Sequence, residues 1–125
     1  MQEQPYKIVI PCCKSFEFIH LDDIIRCEGL QNYTRIFMTN GEQLISSGNI
    51  GSYKKILSQY GFFACHKSHL INQEKITRFH KDGMIEMNDG TKVPLSRRRR
   101  DEFFSHIIQR LNILTENQTK PPQIH

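Results

Sequence analysis

The sequence has 125 residues, 38% of them hydrophobic, and a formal net charge of +4 at pH 7. That length predicts one domain with a modest core. No apolar run is long enough to cross a membrane and Met1–Pro5 has no basic-then-apolar leader pattern, so a cytoplasmic protein without a membrane span is expected.

From the N-terminus, Lys7–Ile10 is a short apolar run ended by Pro11, and Phe16–His20 alternates as a strand does. Asp22-Asp23 gives a turn, Ile24–Glu28 a strand, and Gly29 a break. Tyr33–Thr39 is rich in β-branched and aromatic residues. Asn40-Gly41 predicts a two-residue hairpin loop, with Glu42–Ser46 returning as the partner strand. The period then changes. Ile50, Tyr53, Ile56, Leu57 and Tyr60 fall on one face of a helix over Asn49–Tyr60, with Lys54, Lys55 and Ser58 off that face and Gly61 at its end.

Within Phe62–Ile71, a strand is expected over Cys65–Leu70, which would put His66 and Ser68 on one face and Lys67 and His69 on the other. Ile76–His80, Met84–Met87 and Thr91–Leu95 read as strands, separated by the turn Lys81-Asp82-Gly83 and a second hairpin signal at Asp89-Gly90. A last helix is expected from about Arg98 to Leu114, with Phe103, Phe104, Ile107, Ile108, Leu111 and Leu114 on its apolar side and Ser96 as N-cap. The ends, Met1–Pro5 and Thr115–His125, are polar and read as loose.

The basic charge is concentrated. His66–Arg100 holds nine Lys/Arg against four Asp/Glu, whereas the rest of the chain holds eight against nine. An anionic partner is implied, nucleic acid first and a membrane surface second. Arg97–Arg100 opens the last helix against its dipole, which local stability would not select. Either an anion docks there or the arginines form a solvated turn partly neutralised by Asp101 and Glu102. The cysteines, Cys12, Cys13, Cys27 and Cys65, form no CxxC pair and read as reduced thiols in or near a core. Cys65, His66 and His69 do not complete a tetrahedral metal site, and no phosphate-binding glycine loop, HExxH or GxSxG occurs. No cofactor, metal or catalytic activity is therefore expected.

Phe63-Ala64-Cys65-His66-Lys67-Ser68-His69-Leu70-Ile71-Asn72 followed by Ile76 resembles the central motif of the LytTR family: an aromatic, a short gap, His, a basic residue, Ser, an apolar pair, Asn, and soon an Ile. Ile24-Ile25-Arg26-Cys27-Glu28 with Asn32-Tyr33 resembles the family's early strand and loop, and Asp89-Gly90 with Val93-Pro94-Leu95-Ser96-Arg97-Arg98 resembles its closing hairpin and Ser-Arg-Arg turn. The resemblance spans about residues 8–110. It implies a mainly β fold of elongated antiparallel sheets with one short internal helix and a C-terminal helix. It divides the chain into an extension (1–7), a LytTR-like DNA-binding domain (8–114) and a flexible tail (115–125).

The resemblance further implies a regulator of transcription that binds double-stranded DNA at paired direct repeats, its loops entering successive major grooves. A second copy on repeat DNA would be a partner. Family members commonly follow a receiver domain in bacterial two-component response regulators. This sequence has no receiver-sized segment, so it is expected to be either a stand-alone regulator or a fragment within such a histidine-kinase pathway.

Duplex recognition needs cations for phosphates and planar donors and acceptors for bases. Asn72 matches the family's base-contacting or loop-ordering Asn, and it could equally satisfy its own backbone in a turn. Arg97 and Arg98 match the Ser-Arg-Arg turn, one toward a base and the other toward a phosphate. Arg99 and Arg100 are assigned to phosphate or solvent. Lys67 and Ser68 are phosphate candidates, His66 a half-buried hydrogen-bonded residue, Lys75 a further cation in the loop after Asn72. Gln31, Asn32, Tyr33 and Arg35 match a DNA-facing loop. Two other readings stand beside this one: a β-surface that stacks single strands or RNA, and a basic protein-interaction or membrane-surface module.

Overall fold

The computed structural model describes residues 7–111, and their side chains as far as Ile107. Among the described residues, ten strands form three antiparallel sheets. A two-stranded ribbon pairs β1 (Lys7–Pro11) with β2 (Phe16–His20). The central sheet has five strands: β3 (Ile24–Gly29), β4 (Thr34–Met38), β5 (Gln43–Ser46), β6 (Phe62–His66) and β7 (His69–Asn72), in the order β5-β4-β3-β7-β6. A three-stranded sheet follows the order β10-β9-β8, from β8 (Ile76–Phe79), β9 (Met84–Met87) and β10 (Lys92–Pro94). Helix α1 (Ile50–Leu57) links β5 to β6, and α2 (Arg100–Leu111) closes the described chain. The expected mainly β antiparallel architecture, with one internal and one C-terminal helix, is present.

The central sheet is covered on both faces because its middle strands carry apolar residues at successive positions. Ile24, Cys27, Ile36, Leu70, Phe62 and Ala64 face one core, closed by Tyr53 and Leu57 of α1 and by Ile10 of the ribbon. Ile25, Phe63, Cys65 and Ile71 face the other, closed by Ile85, Met87 and Val93 of the three-stranded sheet and by Phe103, Phe104 and Ile107 of α2. A register shift between Ile24 and Arg26 lets Ile25 and Arg26 both turn toward the second layer. There the buried Arg26 guanidinium lies 3.7 Å from the centre of the Phe37 ring, and its Nε donates to Thr91 Oγ1 at 3.2 Å.

Three hairpins are built alike, and they differ from the two-residue loops expected at Asn40-Gly41 and Asp89-Gly90. In each, the residue before the loop gives its N–H to the residue after it: Met38 to Glu42, His80 to Met84, Met87 to Thr91. The loop therefore has three residues. Its last is glycine in the left-handed region, at φ 91° for Gly41, 100° for Gly83 and 86° for Gly90. The Asx before each glycine accepts the amide two positions on, Asn40 from Glu42, Asp82 from Met84 and Asp89 from Thr91.

The expected strand over Cys65–Leu70 is instead two strands, β6 and β7, joined by a tight turn at Lys67-Ser68. His66 pairs with His69 across it, their ring centroids 5.5 Å apart, so the predicted sharing of faces by His66 with Ser68 and Lys67 with His69 does not hold. The turn escapes a sequence reading because it contains no Gly, Pro, Asn or Asp. The internal helix is shorter than Asn49–Tyr60: Asn49 is its N-cap, accepting from Ser52 N–H at 2.9 Å, and Ser58–Tyr60 tightens into a 3₁₀ turn before Gly61. Ile56, expected on its apolar face, is 48% exposed. The last helix begins at Arg100 after a 3₁₀ turn over Arg97–Arg99, and Ser96 caps with its backbone only. Phe103, Phe104 and Ile107 are buried as expected; the side chains of Ile108 and Leu111, and Leu114 with the expected tail, lie outside the described residues.

Candidate nucleic-acid interface

β3 runs from Ile24 toward Glu28, and β7 runs antiparallel to it, with Glu28 opposite His69. One end of the central sheet therefore gathers the loop after β3, the Lys67-Ser68 turn and the start of β7. Two backbone hydrogen bonds hold further segments there. Gly29 N–H donates to Ser68 C=O at 2.8 Å, tying the loop to the turn. Ser96 N–H donates to Cys65 C=O at 2.9 Å, bringing the arginine run alongside the end of β6. Gly29 passes close to the start of α1: a Cβ there would stand 2.9 Å from Ile50 Cγ2, so a larger residue would force one of them to shift.

Gln31, Asn32 and Tyr33 are exposed on the loop, which is closed by Leu30 N–H donating to Tyr33 C=O at 2.9 Å. Arg35, half-buried on β4, stands 3.6 Å from Glu28, a surface pair of small energetic consequence. Lys67 is exposed at the turn and Ser68 half-buried, its N–H donating to His66 Nδ1 at 3.2 Å. Burial holds His69 below the ordinary histidine pKa, opposed by the nearby Glu28 carboxylate.

The four arginines have different surroundings. Arg97 and Arg98 are exposed. Arg99 binds Glu102 at 2.9 Å, with its guanidinium 6.0 Å from the Phe63 ring centre. Arg100 turns back against the β8–β9 loop, where a Cβ on Gly83 would lie 2.9 Å from its Nη2. The sequence reading assigned Arg100 to phosphate or solvent; the structure packs it against the fold.

Asn72 and Lys75 lie elsewhere. β7 carries the chain about 10 Å from the turn, at 3.3 Å per residue, to the opposite end of the sheet. Asn72 is 6% exposed. Its Nδ2 donates to Ile24 C=O at 2.9 Å and its Oδ1 accepts from Glu74 N–H at 3.1 Å. Of the two roles the sequence offered, the geometry is that of loop ordering. Lys75, half-buried, accepts from Asn88 N–H through its carbonyl.

One residue of this end was not singled out from sequence. Lys54 of α1 donates from Nζ to Lys67 C=O at 2.7 Å. It lines a groove of about 300 Å³ with Phe62, Phe63, Ala64 and Arg99. Burial and the Arg99 charge both lower its pKa. A lysine off the apolar face of a helix reads as solvated, so no sequence signal marked it.

Cys27 and Cys65 are buried, and burial pushes both thiols up to about 12; Cys13 is exposed. Among the described residues no group of three or more His, Cys, Asp or Glu is placed to hold a metal ion, and no helix is long and apolar enough to cross a membrane.

Exposed polar and cationic side chains thus stand on loops and turns at one end of the central sheet. The family model of the LytTr DNA-binding domain matches residues 14–108. Among solved structures, the fold is similar to the LytTr DNA-binding domain of a Bacillus cereus protein, with a TM-score of 0.69 at 15% identity, over 84% of this chain and 98% of that one. A search of the curated proteins finds no match. The chain belongs to the LytTR family of DNA-binding domains.

Proposed function

We propose that this chain is a sequence-specific double-stranded-DNA-binding regulator of transcription, reading its site with the Gln31–Tyr33 loop, the Lys67-Ser68 turn and Arg97-Arg98. The observation that carries this reading is the joining of those segments at one sheet end by the Gly29–Ser68 and Ser96–Cys65 backbone bonds. Cations on turns suit phosphates, and an exposed arginine with no side-chain partner among the described residues suits guanine, whose two acceptors match its fork. Arg98 reads a base and Lys67, with Arg97, holds phosphates. Tyr33 and Arg35 flank the contact; Ser68 adds a hydroxyl and Arg99 its charge at the edge. Asn72 orders the loop at the other end and touches no base, and Lys75 lies outside the contact.

The turns enter successive major grooves of paired direct repeats, each repeat taking one copy. The chain acts in the cytoplasm of a bacterium as the output of a two-component pathway or as a stand-alone regulator, and residues 8–114 are its DNA-binding unit. Selection of bound duplexes from a random pool at two salt concentrations tests this. The expected result is an enriched motif repeated at one or two turns of about 10.5 base pairs. Unselective binding erased by salt would overturn it.

A further inference from the structure

The Lys67-Ser68 turn is closed by the His66–His69 pair of β6 and β7 and is held by further bonds on either side. Its ties are the Gly29 N–H to Ser68 C=O bond, the Ser68 N–H to His66 Nδ1 bond, and the Lys54 Nζ to Lys67 C=O bond of 2.7 Å. Among the described residues, the third is the one tie made by a side chain from another element. It comes from α1, which is itself anchored in the first core by Tyr53 and Leu57. Its donor is charged, and the bond lies at the exposed surface.

Lys54 stands there against the local electrostatics. Arg99 is close enough to disfavour its charge, and among the described residues no carboxylate lies within ion-pairing distance of it. The ammonium instead holds the carbonyl of the residue that is to meet DNA. We infer that Lys54 is a positioning residue: it docks the Lys67-Ser68 turn onto α1 and so fixes the direction in which Lys67 leaves the sheet. This rests on the reading of that turn as a DNA contact. A turn held in one orientation pays its ordering entropy before binding, and a loose one pays it at the DNA, where register is lost first.

The test compares Lys54→Met, Lys54→Arg and Lys55→Met in the full chain. Lys55→Met removes the same charge from the next position of α1. Without DNA, amide hydrogen exchange at Ser68 and His69 is measured together with the melting temperature. With DNA, affinity is measured for the selected duplex and for a scrambled duplex of equal length, over a salt series. For Lys54→Met the expected result is exchange at Ser68 and His69 roughly tenfold faster and affinity for the selected duplex roughly tenfold weaker, from loss of one charged hydrogen bond. The scrambled duplex and the salt slope stay as in the parent, the melting temperature falls by no more than a few degrees, Lys54→Arg recovers part of both losses, and Lys55→Met has neither.

Unchanged exchange would overturn the positioning role. Equal weakening of both duplexes with a slope lower by about one would overturn it too, making Lys54 a phosphate contact. Faster exchange with unchanged affinity for the selected duplex would leave the docking intact and remove the turn from the DNA interface. Absence of any selected duplex, with exchange still accelerated, would refute the DNA reading alone.

Discussion

The two ends of the central sheet are made from similar polar residues put to opposite uses. At the Asn72 end, the amide is buried and bonded at both atoms to the chain's own backbone, and the adjacent Gln73 is buried as well. At the Lys67 end, Lys67, Arg97, Arg98 and Asn32 stand in solvent, while backbone atoms hold the segments that carry them. Residue type alone does not separate the two uses. For Asn72 the difference is a carbonyl of the fold within its reach, Ile24 C=O, whereas the Lys67 end meets its needs largely without its exposed side chains.

Substitution can break this comparison. Asn72→Ala should give the largest change in stability, a loss of about 1–3 kcal/mol by denaturant titration, since Ile24 C=O would be left buried and unpaired. Affinity measured well below the unfolding transition should hardly move. Arg98→Ala should do the reverse, leaving stability within about 0.5 kcal/mol and weakening the selected duplex by about 1–3 kcal/mol. If Asn72→Ala selectively weakened the selected duplex without destabilising the fold, the division of the two ends would be wrong.

Smaller effects sharpen it. Lys67→Ala should weaken all duplexes alike and lower the salt slope by about one unit; a changed sequence preference at constant slope would instead make it a base contact. Because burial holds His69 below the ordinary histidine value, its neutral form is favoured in the folded chain. Stability should then be full above a pH of about 6.5 and fall as acid protonates the unfolded chain first, down to the folded-state pKa. Thermal melts across that range should steepen for the parent and flatten for His69→Gln. Smallest of all, a thiol reagent at neutral pH should modify Cys13 ahead of Cys27 and Cys65, whose thiols stay protonated in the cores. Mass spectrometry of briefly labelled protein reads the order directly.

Much of the fold was legible because its signals are local. Alternation marked the strands, Asx-Gly marked two hairpins, and the spacing of Tyr53 and Leu57 marked α1. The Lys67-Ser68 turn was not legible, since its sharp reversal is held by bonds to Gly29 and Lys54, remote in sequence. The arginine run was visible as charge, but its division was not: Arg100 packs on Gly83 only because β8 and β9 bring that glycine beneath α2. Asn72 was found and its two roles named, and the choice between them rests on Ile24, which lies 48 residues away.

The three Asx-Gly hairpin loops share one construction, and none of them belongs to the proposed contact. The connections that do belong to it, after β3, between β6 and β7, and before α2, contain no Asx-Gly pair. On the proposed reading the Asx-Gly loops serve strand register alone, whereas the Lys67-Ser68 turn joins β6 to β7 and serves recognition as well. If the proposed contact holds, exchange of Gln31–Tyr33 would retarget the domain with the three Asx-Gly hairpins as a fixed chassis, whereas exchange of Lys67-Ser68 would also touch the joint between β6 and β7.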